Sequence, residues 1–291
     1  MAETSEITIF GMKATQASTP PTTPEYVPGL RKPIVGVYGV TGCYGCLLSV
    51  IFNEEDILDM VEAIDLKSFP FIKEHNPQNI HYDVIMVEGL VAKKQDIELL
   101  QKWRGMCTYL VALGACAHTG GIPAMRNFIG EDRYKHLQFN RCLSLQDTQA
   151  QPIDRYVKVD HTIPGCPPDK REILTFIKDF ALGRIHQGYS NPVCIECRKN
   201  ENHCLLEDGK LCLGPITSGG CNSICTNAGL ECWGCRGPSK DPQYDAFFDL
   251  LKKKGFDAQA IRKRLQSFAG LKTPSQHRIG HRNTTEGNTH G

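Results

Sequence analysis

Fourteen of the 291 residues are cysteine, and eight of them fall between residues 194 and 235. No other feature restricts the fold as much. At this frequency chance would give about 0.7 Cys-x-x-Cys pairs, yet the chain has three: Cys43/Cys46, Cys194/Cys197 and Cys232/Cys235. Such density means disulfides in an exported protein and metal ligation where thiols stay reduced. The opening stretch, MAETSEITIFGMKATQASTP, has no basic n-region, apolar h-region or twin arginine. The expectation is therefore a cytoplasmic chain whose cysteines bind metal. Lys and Arg number 33 against 32 Asp and Glu, so no net field attracts nucleic acid or an anionic membrane. Apolar residues make up 41%, enough for a globular core, and no run of them is long enough for direct membrane insertion.

Residues 1–31 are rich in Thr, Ser and Pro and read as an N-terminal arm. From residue 33, short β-branched runs alternate with helical periodicity. PIVGVYGV (33–40), YDVIMVEGLV (82–91), TYLVALGACA (108–117) and YVKVDHTIPGC (156–166) read as buried strands. EEDILDMVEAI aligns Ile57, Leu58, Val61 and Ile64 on one helical face, and KKQDIELLQKW aligns Ile97, Leu100 and Trp103. DKREILTFIKDFAL does the same with Ile173, Phe176, Ile177 and Phe180. This alternation predicts an α/β domain over 32–185, a parallel sheet covered by helices. Over 186–271 the composition shifts to Cys, Gly, Asn and Pro, which predicts a small cysteine-rich domain with little regular structure before two C-terminal helices. At that composition its core is expected to rest on inorganic cross-links more than on apolar burial. Residues 272–291 read as a tail.

In the first domain Cys43 and Cys46 follow the first strand, Cys116 ends another, and Cys166 follows a fourth. In an open parallel sheet the strand C-termini share one edge, with a crevice where strand order reverses, so four distant cysteines can converge there. Four thiolates exclude hard ions and leave zinc or an iron-sulfur cluster. Zinc is usually served by two compact Cys-x-x-Cys pairs; one pair with two distant singles favours a cluster. Gly42, Gly45, Gly114, Gly165, Pro164 and Pro167 let the backbone approach and offer amides to sulfur. Cys116 or Cys166 taken alone would read as a buried core thiol. VTGCYGC carries no phosphate-loop pattern, which argues against flavin or nucleotide.

The later cysteines read Cys194-x2-Cys197-x6-Cys204-x7-Cys212, then Cys221-x3-Cys225-x6-Cys232-x2-Cys235. Eight ligands form two sets of four, suited to two 4Fe-4S clusters; an interleaved partition and a pair of zinc ribbons stay open as alternatives. Three clusters in one chain would move electrons and break no substrate bond, which assigns the chemistry to one end of the wire.

The stretches VTGCYGCLLS, MVEGLV, ALGACAHTGGIPAMRN, IPGCPPDK, PVCIECRKNENHCLLEDGKLCLGPITSGGCNSIC and CWGCRGP occur in this order between about residues 35 and 240. Together they resemble the small subunit of nickel-iron hydrogenases, most of all the delta subunit of the cytoplasmic NAD(P)-linked type, sometimes called sulfhydrogenase. The resemblance implies a flavodoxin-like first domain whose Cys43, Cys46, Cys116 and Cys166 hold a proximal 4Fe-4S cluster, nearest a nickel-iron centre in the large subunit. It implies a medial cluster at Cys221, Cys225, Cys232 and Cys235 and a distal one at Cys194, Cys197, Cys204 and Cys212. Periplasmic relatives place His first in the distal motif and lack one medial Cys; Cys194 and Cys225 here imply three 4Fe-4S clusters. The activity implied is reversible H2 oxidation by a complex in which this chain carries electrons and no catalytic residue. Its implied partners are the large subunit and iron-sulfur and flavin subunits that reduce NAD(P). Alternatives are a hydrogenase using deazaflavin, polysulfide or ferredoxin, an iron-sulfur subunit of a non-hydrogenase respiratory complex, and a zinc-stabilised interaction module.

Other residues carry weaker signals. Glu88, at a strand end, reads as a tuner of the first cluster, a residue facing the partner or a loop carboxylate, and His118 as a donor to a cluster sulfide, an aid to proton movement or an ordinary loop imidazole. Arg126 is either an interface cation or a surface charge. Cys107 and Cys142 fall outside every set of four and read as structural thiols. The terminal histidines lack the spacing of a metal motif.

Overall fold

Val35, Val37, Val84, Met86, Val111 and Leu113 join one apolar cluster, while Tyr38, Ile85, Val87, Leu110 and Ala112 join another. Alternate residues of the same strands thus feed two cores, as happens when a sheet is covered on both faces. The computed structural model describes residues 8–9, 12–13, 27–28, 31–52, 56–129, 147–184 and 186–273. These form two units, one of residues 8–118 and 147–188, the other of residues 119–129 and 189–273.

In the first unit the elements run β1 (Thr8–Ile9), β2 (Met12–Lys13), β3 (Ile34–Gly39), α1 (Gly45–Ile51), α2 (Ile57–Ala63), β4 (Asp65–Ser68), β5 (Tyr82–Glu88) and β6 (Val91–Lys93). They continue with α3 (Lys94–Gly105), β7 (Cys107–Leu113), α4 (Gly114–Thr119), β8 (Asp147–Gln151), β9 (His161–Ile163) and α5 (Lys170–Ala181). Five strands make a parallel sheet in the order β4-β3-β5-β7-β9. Numbered by occurrence this is 2-1-3-4-5, the flavodoxin-like order, with its switch point between β3 and β5. Helices α1 and α5 contribute Leu47, Val50, Ile173, Phe176 and Ile177 to one face, and α3 contributes Leu100 and Trp103 to the other. Asp83 fastens the entry to β3: it accepts from both Arg31 guanidinium nitrogens, at 2.6 and 2.9 Å, and from the backbone N–H of Ile34.

Two expectations need correction here. In α2, Leu58 is 75% exposed and Val61 50%, whereas Met60 and Ile64 are buried. A seven-residue helix offers only two turns, and the register that buries Met60 against the sheet turns the Leu58 side outward. The fourth expected strand covers only His161–Ile163, because Ile153–Arg155 forms a 3-10 turn and residues 156–160 lead into the strand.

In the second unit lie α6 (Val193–Lys199), α7 (Ile224–Asn227), α8 (Tyr244–Lys253) and α9 (Ala258–Gln266), with 3-10 turns at Ile122–Phe128 and Gly214–Ile216. Little else between residues 190 and 240 is regular. Contrary to expectation, this unit has an apolar core. Phe247, Phe248 and Leu251 of α8 and Ile261 and Leu265 of α9 pack with Leu205, Leu206, Leu211, Leu213 and Ile216. The two amphipathic helices supply the large side chains that the cysteine-rich stretch lacks.

Candidate metal centres

The first set forms where β3, β7 and β9 end. Beyond β3 the loop at Val40–Thr41 is stitched to the exit of β5 by Val40 N–H to Glu88 O at 3.0 Å and Leu90 N–H to Thr41 O at 2.8 Å. Tyr44 takes a left-handed conformation (φ 63°) and starts α1, so Cys43 sits exposed in the loop and Cys46 buried in the first turn. Cys116 occupies the first turn of α4, and Cys166 follows β9 with a cis bond to Pro167. Ala115 N–H donates to Gly165 O at 2.7 Å and ties these two exits together. The Cys46 thiol is pushed up by burial, then by Glu88, Cys116, Cys166 and Cys43. That of Cys116 is pushed up to about 12 by burial, then by Cys166, Glu88 and Cys43. The four expected cysteines are therefore near enough to act on one another's charge. Grouped acids that raise one another's pKa need a cation to ionise, and a metal centre held by them would supply it.

Glu88 is the further member of this group. Its side chain is 1% exposed, and Oε1 has no hydrogen-bond partner among the described residues. Burial raises its carboxyl to about 7, against hydrogen bonds from the Tyr44 backbone and the Cys46 thiol. A Cβ on Gly42 would stand 2.6 Å from Glu88 Oε1, so the glycine admits the carboxylate. His118 lines a cavity of about 220 Å3 with Asp154, Lys158 and Thr162. Cys107 is buried in β7 with its sulfur 3.8 Å from Arg104 O. Arg126 lies in the 3-10 turn Ile122–Phe128. Cys142 and the terminal histidines lie outside the described residues.

Cys194, Cys197, Cys204 and Cys212 together line a cavity of about 50 Å3. Burial pushes the Cys194 thiol up to about 12, with Cys212, Cys197 and Cys204 adding to it. A Cβ on Gly214 would stand 3.1 Å from Cys194 Sγ, so this glycine brings the backbone close to sulfur. In the other set Cys225 lies in the first turn of the short α7, and Cys232 and Cys235 bracket Gly234. Burial raises the Cys232 thiol, hydrogen bonds from the Gly234 backbone and the Thr217 side chain oppose it, and Cys212 and Cys235 add to the rise. Asn222 and Ser223 take consecutive left-handed conformations (φ 51° and 52°), and the Ser223 and Ile224 N–H groups act on the Cys221 sulfur. Successive amides in such a turn form a concavity that suits an anionic sulfur. The two sets also touch: Cys232 N–H donates to Cys212 Sγ at 3.3 Å.

Among the described residues no three Cys, His, Asp or Glu side chains converge closely enough to hold one metal ion. Zinc would draw its thiolates to about 2.3 Å from one point. The void lined by the Cys194 set, with backbone amides on the sulfurs of Cys212 and Cys221, fits a polynuclear iron-sulfur group better. Residues that the spacing did not single out complete the sites: Glu196, Arg236 and Asn200, which grip the loop of Cys221.

A family model described as NADH ubiquinone oxidoreductase, 20 Kd subunit, matches residues 43–180. Sulfhydrogenase 2 subunit delta of Pyrococcus furiosus is 36% identical over 236 residues, 81% of this chain and 98% of that protein. NAD-reducing hydrogenase HoxS subunit delta of Cupriavidus necator is 33% identical over 168 residues, 52% of this chain and 79% of that protein. Among solved structures, the actinobacterial-type NiFe-hydrogenase from Ralstonia eutropha H16 shares the fold with a TM-score of 0.51 at 17% identity, over 74% of this chain and 83% of that one. The Pyrococcus alignment is longer than the 188 residues that precede the cysteine-rich stretch, so it includes that stretch.

Proposed function

This chain belongs to the small-subunit family of nickel-iron hydrogenases and is a subunit of a hydrogenase complex, and we propose that it relays electrons between the large subunit and an NAD(P)-reducing partner. The observation that carries the reading is identity to the Pyrococcus delta subunit across 98% of that protein, cysteine-rich region included. In this reading Cys43, Cys46, Cys116 and Cys166 hold the cluster nearest the nickel-iron centre, Cys221, Cys225, Cys232 and Cys235 the middle one, and Cys194, Cys197, Cys204 and Cys212 the outer one. Bound 4Fe-4S clusters would supply one-electron carriers. The chain's own residues orient the sulfurs, aim amides at them and keep water from Cys46, Cys116, Cys212 and Cys232, which are all buried. Cys225 gives the middle set a fourth thiolate, which supports a 4Fe-4S group there. NAD(P) as acceptor draws on the Cupriavidus relative, whose name says NAD-reducing. No described helix is long and apolar enough to cross a membrane.

The test is iron, acid-labile sulfide and nickel in anaerobically purified native complex, with H2-dependent reduction of NAD(P), deazaflavin, polysulfide and ferredoxin. The expected result is about twelve iron and twelve sulfide in this chain, nickel in its partner, and NAD(P) as the best acceptor. Zinc without sulfide would end the relay, and iron without nickel would move it to another enzyme. Preference for a different acceptor would replace the nicotinamide partner. A stoichiometric 3Fe-4S signal in undamaged protein would contradict the assignment of Cys225.

A further inference from the structure

Glu196 sits between Cys194 and Cys197 on α6, yet its side chain reaches the other cysteine set. Oε1 accepts from the backbone N–H of Gly220 at 2.5 Å and Oε2 from that of Ser223 at 3.1 Å, so the carboxylate spans the loop that carries Cys221. Oε2 also stands 4.0 Å from Cys221 Sγ. The loop is gripped from its far side as well. Gly220 has φ +107°, and a Cβ there would collide with Arg236 and Tyr189. Arg236, 2% exposed, donates from Nε to Gly219 O at 2.5 Å. Asn200, at the end of α6, donates to Asn222 O at 3.0 Å and to Ser223 Oγ at 2.9 Å.

The hydrogen bonds that the Glu196 carboxylate accepts from Gly220 and Ser223, and its contact with sulfur, fall on the loop of Cys221. A carboxylate at 4.0 Å therefore stands beside one set although it belongs by sequence to the other.

We propose that Glu196 is a positioning residue for the Cys221 set, holding its loop against α6 and lowering the reduction potential of the group bound there relative to its neighbour. The inference rests on the reading of both sets as iron-sulfur ligands. A fixed negative charge opposes an added electron, and it does so most at the nearer group.

The experiment is a potentiometric EPR titration of the full complex carrying Glu196→Gln. Glu207→Gln, an exposed carboxylate, serves as control, and Cys225→Ser identifies the signal of the Cys221 set. The expected result is an upward shift of that signal's midpoint, larger than any shift of the Cys194 set and absent from the control. Unchanged potentials, or equal shifts of both groups at wild-type iron content, would overturn the proposal. If Glu196→Gln loses iron, Glu196→Asp decides: retained iron at a wild-type or lower midpoint supports a role for the charge. Loss of iron in both variants overturns the tuning role. Wild-type complex without iron and sulfide in these sets would instead overturn the relay reading.

Discussion

A methyl group at position 114 would occupy the space of Cys46 Sγ, and Gly114 has φ +86°, a conformation costly for any other residue. Gly114→Ala therefore combines about 1–2 kcal/mol of backbone strain with displacement of the Cys46 sulfur. On the proposed three-cluster reading, the expected outcome is loss of the first cluster alone, about four of twelve iron atoms, read by iron analysis of the purified complex. Full iron content in that variant would show that the close approach is dispensable. The candidate cysteines are legible because residue type and local spacing are written along the chain. Glu88 was legible as a candidate because it ends a strand beside them. Glu196, Gly220 and Arg236 were not, since they act through contacts between segments 17 to 27 residues apart, and a carboxylate inside a Cys-x-x-Cys pair reads as an exposed charge.

At the scale of elements, the β-branched runs revealed the three central strands because burial on both faces demands an unbroken apolar sequence. The edge strand β4, DLKS, carries no such run and is not legible in the sequence, and YVKV ahead of the short β9 resembles a strand without pairing as one. β9 also carries a titratable device. His161 stacks on Phe176 of α5 at 5.1 Å between centroids, with the His186 ring edge-on at 5.2 Å and Asp179 accepting from His186. Burial, then His186, lowers its pKa from 6.5 to about 4. The unfolded chain thus binds this proton more tightly than the folded one, so stability is full above about pH 6.5 and falls as pH drops towards 4. At about 1.4 kcal/mol per unit, discounted for partial solvation, the loss should be about 1–2 kcal/mol. His161→Phe keeps the stack and should flatten this part of the stability profile in denaturant titrations at pH 6.5, 5 and 4. An unchanged slope would place the acid sensitivity elsewhere.

At the scale of the whole molecule, the two units are held by different forces. The first has apolar clusters on both faces of a five-stranded sheet. Between residues 190 and 240 the second has helices of only seven and four residues, too short to persist by themselves. Its apolar cluster is anchored by α8 and α9, but Cys212 and Cys232 are members of it, so two of the proposed metal ligands are also core residues. Ordering a residue costs about 1–2 kcal/mol of backbone entropy, and without metal the remaining contacts must oppose that cost over a loop-rich stretch. Removing iron with an oxidant and a chelator should therefore open residues 194–235 to limited proteolysis while β3, β5 and β7 stay protected, as mass spectrometry of the fragments would show. Cleavage in the sheet at the same rate would mean that the first cluster, too, is required for its domain. Resistance of both units would show that α8 and α9 hold the cysteine-rich stretch without metal.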